Sequence, residues 1–157
     1  MPTSNEHAIR VRDALRFIGD VPPDCPTQTV TERFYACLHM LEAAVFDFKD
    51  LSRQRHYTNH SERGAFLKSI AYDFGHPLFE VIRDYEALKA LSESARYCSP
   101  KGSSVYTPLR PQRDLPHAAE LHRNVQQTLE RIYTDKRLRA PWLGSDPQAE
   151  PARPASA

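Results

Sequence analysis

An all-α fold, a bundle of four or five helices, follows from three observations. Apolar residues recur at spacings of three and four along five segments, the periodicity of a helix with one buried face. Those segments begin at capping residues or prolines, and several end where glycine or proline clusters stop a helix. No stretch alternates with the period of a strand: the nearest, "SSVYTPL", is short and interrupted by proline. A length of 157 residues with 40% hydrophobic and 26% charged content suits one soluble domain with a single core.

The first helix spans about 4–18, "SNEHAIRVRDALRFI". Thr3 and Glu6 have the spacing of a capping box, and Ala8, Val11, Leu15 and Ile18 share one face. Gly19 and the Pro22-Pro23 pair are its expected stop. The second helix is expected over 30–51, opened by Thr29 and Glu32, again at capping-box spacing. Phe34, Leu38, Leu41, Val45 and Phe48 form one stripe, while Ala36, Ala43 and Phe46 lie on other sides, which predicts a central helix buried on several faces. A third helix is expected over 60–73. A fourth runs over 77–97, with Pro77 in its first turn and Leu78, Val81, Ile82, Tyr85, Leu88, Leu91 and Ala95 on its apolar face. Residues 99–114 read as a polar connection. The fifth helix, 115–135, carries Leu121, Val125, Leu129 and Ile132 in register. The bundle domain is therefore expected over 1–135. Residues 136–157 are rich in Pro and Ala and read as a disordered tail, with Trp142 as its one anchor.

Bulk chemistry narrows the function classes. A formal net charge of +1 supplies no global basic field, so nucleic-acid binding would need a local cluster. Cys25, Cys37 and Cys98 are scattered, with no CxxC pair, which argues against a zinc knuckle or a redox motif and fits free thiols in a reducing cytoplasm. The opening "MPTSNEHAIRVRD" is too polar for a signal peptide, and no apolar run approaches a membrane span. P-loop, HExxH and Ser-His-Asp patterns are absent. His39, amid Leu38, Met40 and Leu41, reads as a hydrogen-bonded core histidine.

The local cluster is "LSRQRHYTNHSERGAF", Leu51 to Phe66, with three arginines and two histidines in sixteen residues. Asn59 and Glu62 have the spacing of an N-cap and its third helical residue, which places His60 in a first turn with Arg63 on the same face. A helix N-terminus attracts anions and disfavours an imidazolium, so His60 would stay neutral, as a general base must. Arg53, Arg55 and Arg63 can donate in pairs to a phosphate. A neutral base beside guanidinium groups suffices to cleave RNA without a metal: the base takes the ribose 2′-OH proton and arginine stabilises charge developing on phosphorus. The plainer reading is a solvated charged junction, the fate of most surface charge.

Three segments resemble the HEPN superfamily of small helical domains. These are "FYACLHMLEAAVF", the junction "RHYTNHSER", and "FEVIRDYEALKALSESARY" with its terminal Arg96-Tyr97 pair. Together they cover about 30–98. Catalytic members carry an arginine and then a histidine, with four to six residues between them. Arg55 and His60 match with four residues between them, and Arg53 and His60 match at the limit of six. Arg33 with His39, and Arg110 with His117, also fit this permissive spacing and serve as internal controls. The resemblance implies a metal-independent endoribonuclease needing no cofactor, with Arg55 and His60 catalytic and Arg53, Arg63 and Asn59 holding phosphate or RNA. It further implies a homodimer whose two motifs share a cleft, and a place in host defence or a toxin–antitoxin pair with an antitoxin partner. Non-catalytic members bind RNA, nucleotides or proteins, which is the alternative implied for this chain.

Overall fold

The computed structural model describes residues 3–22, 24–48, 62, 65, 76–98 and 107–144. Among the described residues four long α-helices carry the packing: α1 (Ser4–Asp20), α2 (Pro26–Phe48), α3 (His76–Tyr97) and α4 (Pro111–Asp135), followed by a 3-10 turn (Pro141–Leu143). The expected bundle is thus present, and no strand occurs among the described residues. Most of the expected 60–73 helix lies outside the described residues; Glu62 and Ala65 within it are helical and exposed. Among the described residues no helix is long and apolar enough to cross a membrane.

The start of α1 follows from its cap. Thr3 Oγ1 accepts from the Glu6 N–H at 3.3 Å, and the Thr3 N–H donates to Glu6 Oε2 at 2.6 Å. Both halves of the capping box are therefore made, which satisfies two donors that a helix start leaves open. The helix does not stop at Gly19. It runs to Asp20, and the Val21 N–H closes it by donating to the Phe17 carbonyl at 2.9 Å. Pro22, which lacks an N–H to donate, follows directly and does not continue the helix.

The expected cap at Thr29 is corrected. Helix α2 begins at Pro26, so Thr29 already lies inside it, and its hydroxyl donates back to the Cys25 carbonyl at 3.1 Å. Proline suits a first helical position, because its fixed φ is helical and its missing N–H would find no partner there. The start of the last helix also moves. Helix α4 opens at Pro111, where the Asp114 carboxylate accepts the Arg110 N–H at 2.7 Å. This caps the helix a full turn before 115, and Pro116 sits within it.

Helix α2 is central, as its two-sided apolar pattern predicts, with ten buried residues from Val30 to Val45. Ser4 meets Asp47 and His7 meets His39, so α1 and α2 form an antiparallel hairpin. Arg96 of α3 reaches Tyr35, and Leu78 shares an apolar groove with Leu41 and Val45, so α3 is antiparallel to α2 as well. Helix α4 runs parallel to α2, with the Tyr133 ring tilted against Phe48 at 4.6 Å and its hydroxyl donating to Asp47 at 2.6 Å. At the core centre Phe34 and Tyr85 stack with ring centroids 5.6 Å apart. Each fully buried side chain of this kind contributes about 1.5–3 kcal/mol relative to exposure.

Packing continues past residue 135. Trp142 is 3% exposed, contacts Tyr133 edge-on at 5.4 Å, and donates its indole N–H to Glu130 Oε1 at 3.1 Å. Arg12 of α1 donates to the Pro141 carbonyl at 3.0 Å. Trp142 is thus the anchor that the sequence suggests, and the chain from 145 onward lies outside the described residues.

Candidate functional site

Arg53, Arg55, Asn59, His60 and Arg63 all lie outside the described residues. The two internal control pairs are described. Arg33 and His39 belong to different surroundings: Arg33 is in the field of Arg123 and His122, whereas His39 contacts His7 on α1. Arg110 is the N-cap of α4, and His117 sits within that helix, half-exposed near Glu120.

Among the described residues, the one group of three His, Cys, Asp or Glu side chains whose ligand atoms converge joins α1 to α2. Its three members are His7, in the first turns of α1, and His39 and Glu42, one helical turn apart on α2. Residues three apart on a helix share a face, so His39 and Glu42 must point the same way. The antiparallel hairpin then brings His7 opposite them. His7 Nδ1 lies 3.1 Å from His39 Nδ1 and 3.2 Å from Glu42 Oε2. His39 Nδ1 lies 3.3 Å from the same Glu42 oxygen. The imidazoles are tilted, with centroids 5.3 Å apart.

The surroundings favour a neutral His7. Burial of its ring lowers its pKa, the Glu42 carboxylate opposes that shift, and His39 and Arg10 add to the lowering. The three side chains are 10%, 14% and 22% exposed, so the group lies at the rim of the bundle within reach of solvent. His39 was expected in the core with a hydrogen-bond partner. It has the partner contact, but it faces a polar pocket shared with a second histidine. Position supplies the signal that pattern alone does not: His7 and His39 lie equally far on either side of position 23, within the short connection between the helices.

A second polar group is buried where α2 meets α4. His122 is 6% exposed, and its pKa is pushed down to about 4 by burial, with Arg33 and Arg123 adding to the effect. His122 Nε2 and Arg33 Nε are buried without a hydrogen-bond partner. Burial also pushes the Cys37 thiol up, so this cysteine is an unreactive part of the core. Nearby, Asn124 ties α4 to α3 by donating to Asp84 at 3.2 Å.

No family model, curated protein or solved structure matches this chain.

Proposed function

We propose that this chain acts on RNA through the segment 53–63, as a HEPN-like, metal-independent endoribonuclease with His60 as general base and Arg55 as phosphate clamp. One observation carries the reading: three arginines and two histidines concentrated in Leu51–Phe66 of a chain whose net charge is only +1. Residues 110–123 hold the same number of arginines and histidines, but over 53–63 the five fall within eleven residues, a tighter grouping than any other in the sequence, and they combine a proton acceptor with groups that pair with phosphate. An all-helical bundle is compatible scaffolding for it. On this reading Arg53, Arg63 and Asn59 hold the RNA backbone. Two copies of the chain meet so that both motifs line one cleft, and a partner protein restrains the activity. A non-catalytic module binding RNA, nucleotide or a protein through the same edge is the alternative.

The test is cleavage of single-stranded RNA in chelator, with helicity followed by circular dichroism in the same buffer. His60→Ala should lower the rate by about 10²–10⁴, the usual contribution of a general base. Arg55→Ala should lower it by roughly 10²–10³, by analogy with a lost oxyanion donor. Arg110→Ala and His117→Ala are suitable controls: both side chains are solvent-exposed on α4 or at its cap, so their loss leaves the core intact. Wild-type RNA binding without cleavage, weakened on loss of Arg53 or Arg55, selects the non-catalytic module. Equal activity in both pairs of variants sinks the assignment.

A further inference from the structure

We infer that His7 Nδ1, His39 Nδ1 and Glu42 Oε2 form a three-ligand binding site for a divalent first-row cation, with zinc as the best fit. The inference is independent of the RNA reading and uses none of its residues.

The first support is shape. The three atoms form a nearly equilateral triangle with sides of 3.1, 3.2 and 3.3 Å. Ligand atoms about 2.0–2.1 Å from a tetrahedral zinc are spaced roughly 3.3–3.4 Å apart. The triangle is therefore close to one face of a zinc tetrahedron. An ion would sit roughly 1 Å or less above the plane of the three atoms, with its fourth corner left for water or another ligand.

The second support is proton accounting. Each ring nitrogen presents a single site in its plane, either a lone pair or an N–H. If both Nδ1 atoms carry protons, both can donate to Glu42, but two N–H groups then confront each other across the 3.1 Å edge. If only one carries a proton, the other ring's lone pair faces the carboxylate oxygen. If neither does, three lone pairs converge. With the Glu42 carboxylate ionised, no arrangement of ring protons makes all three edges attractive, whereas one cation uses all three lone pairs at once.

The third support is donor chemistry and location. Two imidazoles and one carboxylate are a donor set that zinc uses when it keeps an exchangeable position. The group is partly exposed, so a hydrated ion can reach it. Arg10 is the unfavourable neighbour, but it is solvent-exposed and its repulsion is screened. The ligands come from two helices, so ion binding would clamp α1 onto α2.

The experiment is a titration of the full, chelator-stripped chain with Zn2+ by calorimetry, repeated with Co2+ by visible absorption. One equivalent should bind with micromolar or tighter affinity. His7→Ala and His39→Ala should each weaken it by more than about 100-fold, since losing a direct ligand exceeds the 10–100-fold typical of an outer-shell partner. Glu42→Gln keeps side-chain shape and removes the anionic donor, so it reports on ligation even if a histidine variant folds poorly; it should weaken binding by at least about 10-fold. His117→Ala should bind as the wild type does. The bound Co2+ should lack a thiolate charge-transfer band. Millimolar binding, tight binding that survives His39→Ala or Glu42→Gln, or a thiolate band from Cys25 or Cys98 would each overturn the assignment, the first leaving the triangle as a proton-sharing contact.

Discussion

Two histidines, His7 and His122, sit in helix–helix seams of the same bundle, and both are held away from the imidazolium form by burial. Their neighbours differ in sign. His7 shares its pocket with a second imidazole and the Glu42 carboxylate. His122 has Arg33 and Arg123 in its field and an unpartnered buried ring nitrogen. Desolvation alone makes a histidine neutral; the adjacent charge decides what the neutral ring can then do. Beside a carboxylate its lone pair becomes part of a cation site. Beside guanidinium groups the positive field keeps cations away from the same lone pair and favours the uncharged ring. Helix α2 carries both situations, Arg33 toward α4 and His39 with Glu42 toward α1, so the separation is encoded in which face of one helix each residue occupies.

Acid should break this comparison most strongly at His122. Its folded pKa of about 4 lies below the ordinary value of 6.5, so the unfolded chain takes up the proton first. The associated stability is complete above 6.5 and is lost as the pH falls toward about 4. Linkage sets the loss at roughly 3 kcal/mol at most. Chemical denaturation of wild type and His122→Leu at pH 7 and pH 4.5 checks this: the variant should lose less stability on acidification. Identical losses would mean that His122 is not the acid-sensitive group.

Zinc should sharpen the same contrast from the other side. At an ion concentration about 100 times the dissociation constant, wild type should gain about 2.7 kcal/mol. Glu42→Gln should gain far less, and His122→Leu should gain as much as wild type. Thermal melts with and without the ion distinguish these outcomes. Because ligation needs a deprotonated His7, the gain should also shrink as the pH falls below the ordinary histidine range.

The smallest effect concerns α1 itself. The His7 N–H bonds the Thr3 carbonyl at 3.1 Å, so the capping residue and the cluster share one helical turn. Thr3→Ala should cost about 0.5–2 kcal/mol through the lost cap. It should weaken zinc binding modestly and leave the acid response of His122 unchanged. Hydrogen exchange confined to the first turn of α1 would confirm that the loss is local.

Much of this architecture is legible in the residues. The α1 cap, the many-sided burial of α2 and the apolar stripe of α3 follow from spacing, because backbone capping and helical periodicity are local. The starts of α2 and α4 are less legible, since Pro26 and Pro111 open those helices ahead of the residues that look like caps or begin the apolar register. The cluster was hardest to see. His39 and Glu42 are neighbours by helical geometry, but His7 joins them only through the register of the hairpin, which the short connection at 21–25 sets. Pattern assigns each histidine to a face; it takes the packed pair to show that two faces hold one pocket.

The docking of Trp142 has a consequence for observation. It is the sole tryptophan of the chain, and it rests on Tyr133 and Glu130 beside the Pro141 carbonyl that Arg12 holds. Indole emission is therefore an optical probe placed at the seam between the first helix and the end of the fold. Far-ultraviolet dichroism, by contrast, averages over every helix. If the two signals change together with denaturant, the C-terminal turn belongs to the cooperative unit. If emission shifts first, the turn is a latch that opens before the bundle melts, and the fluorescence of a single residue times that opening.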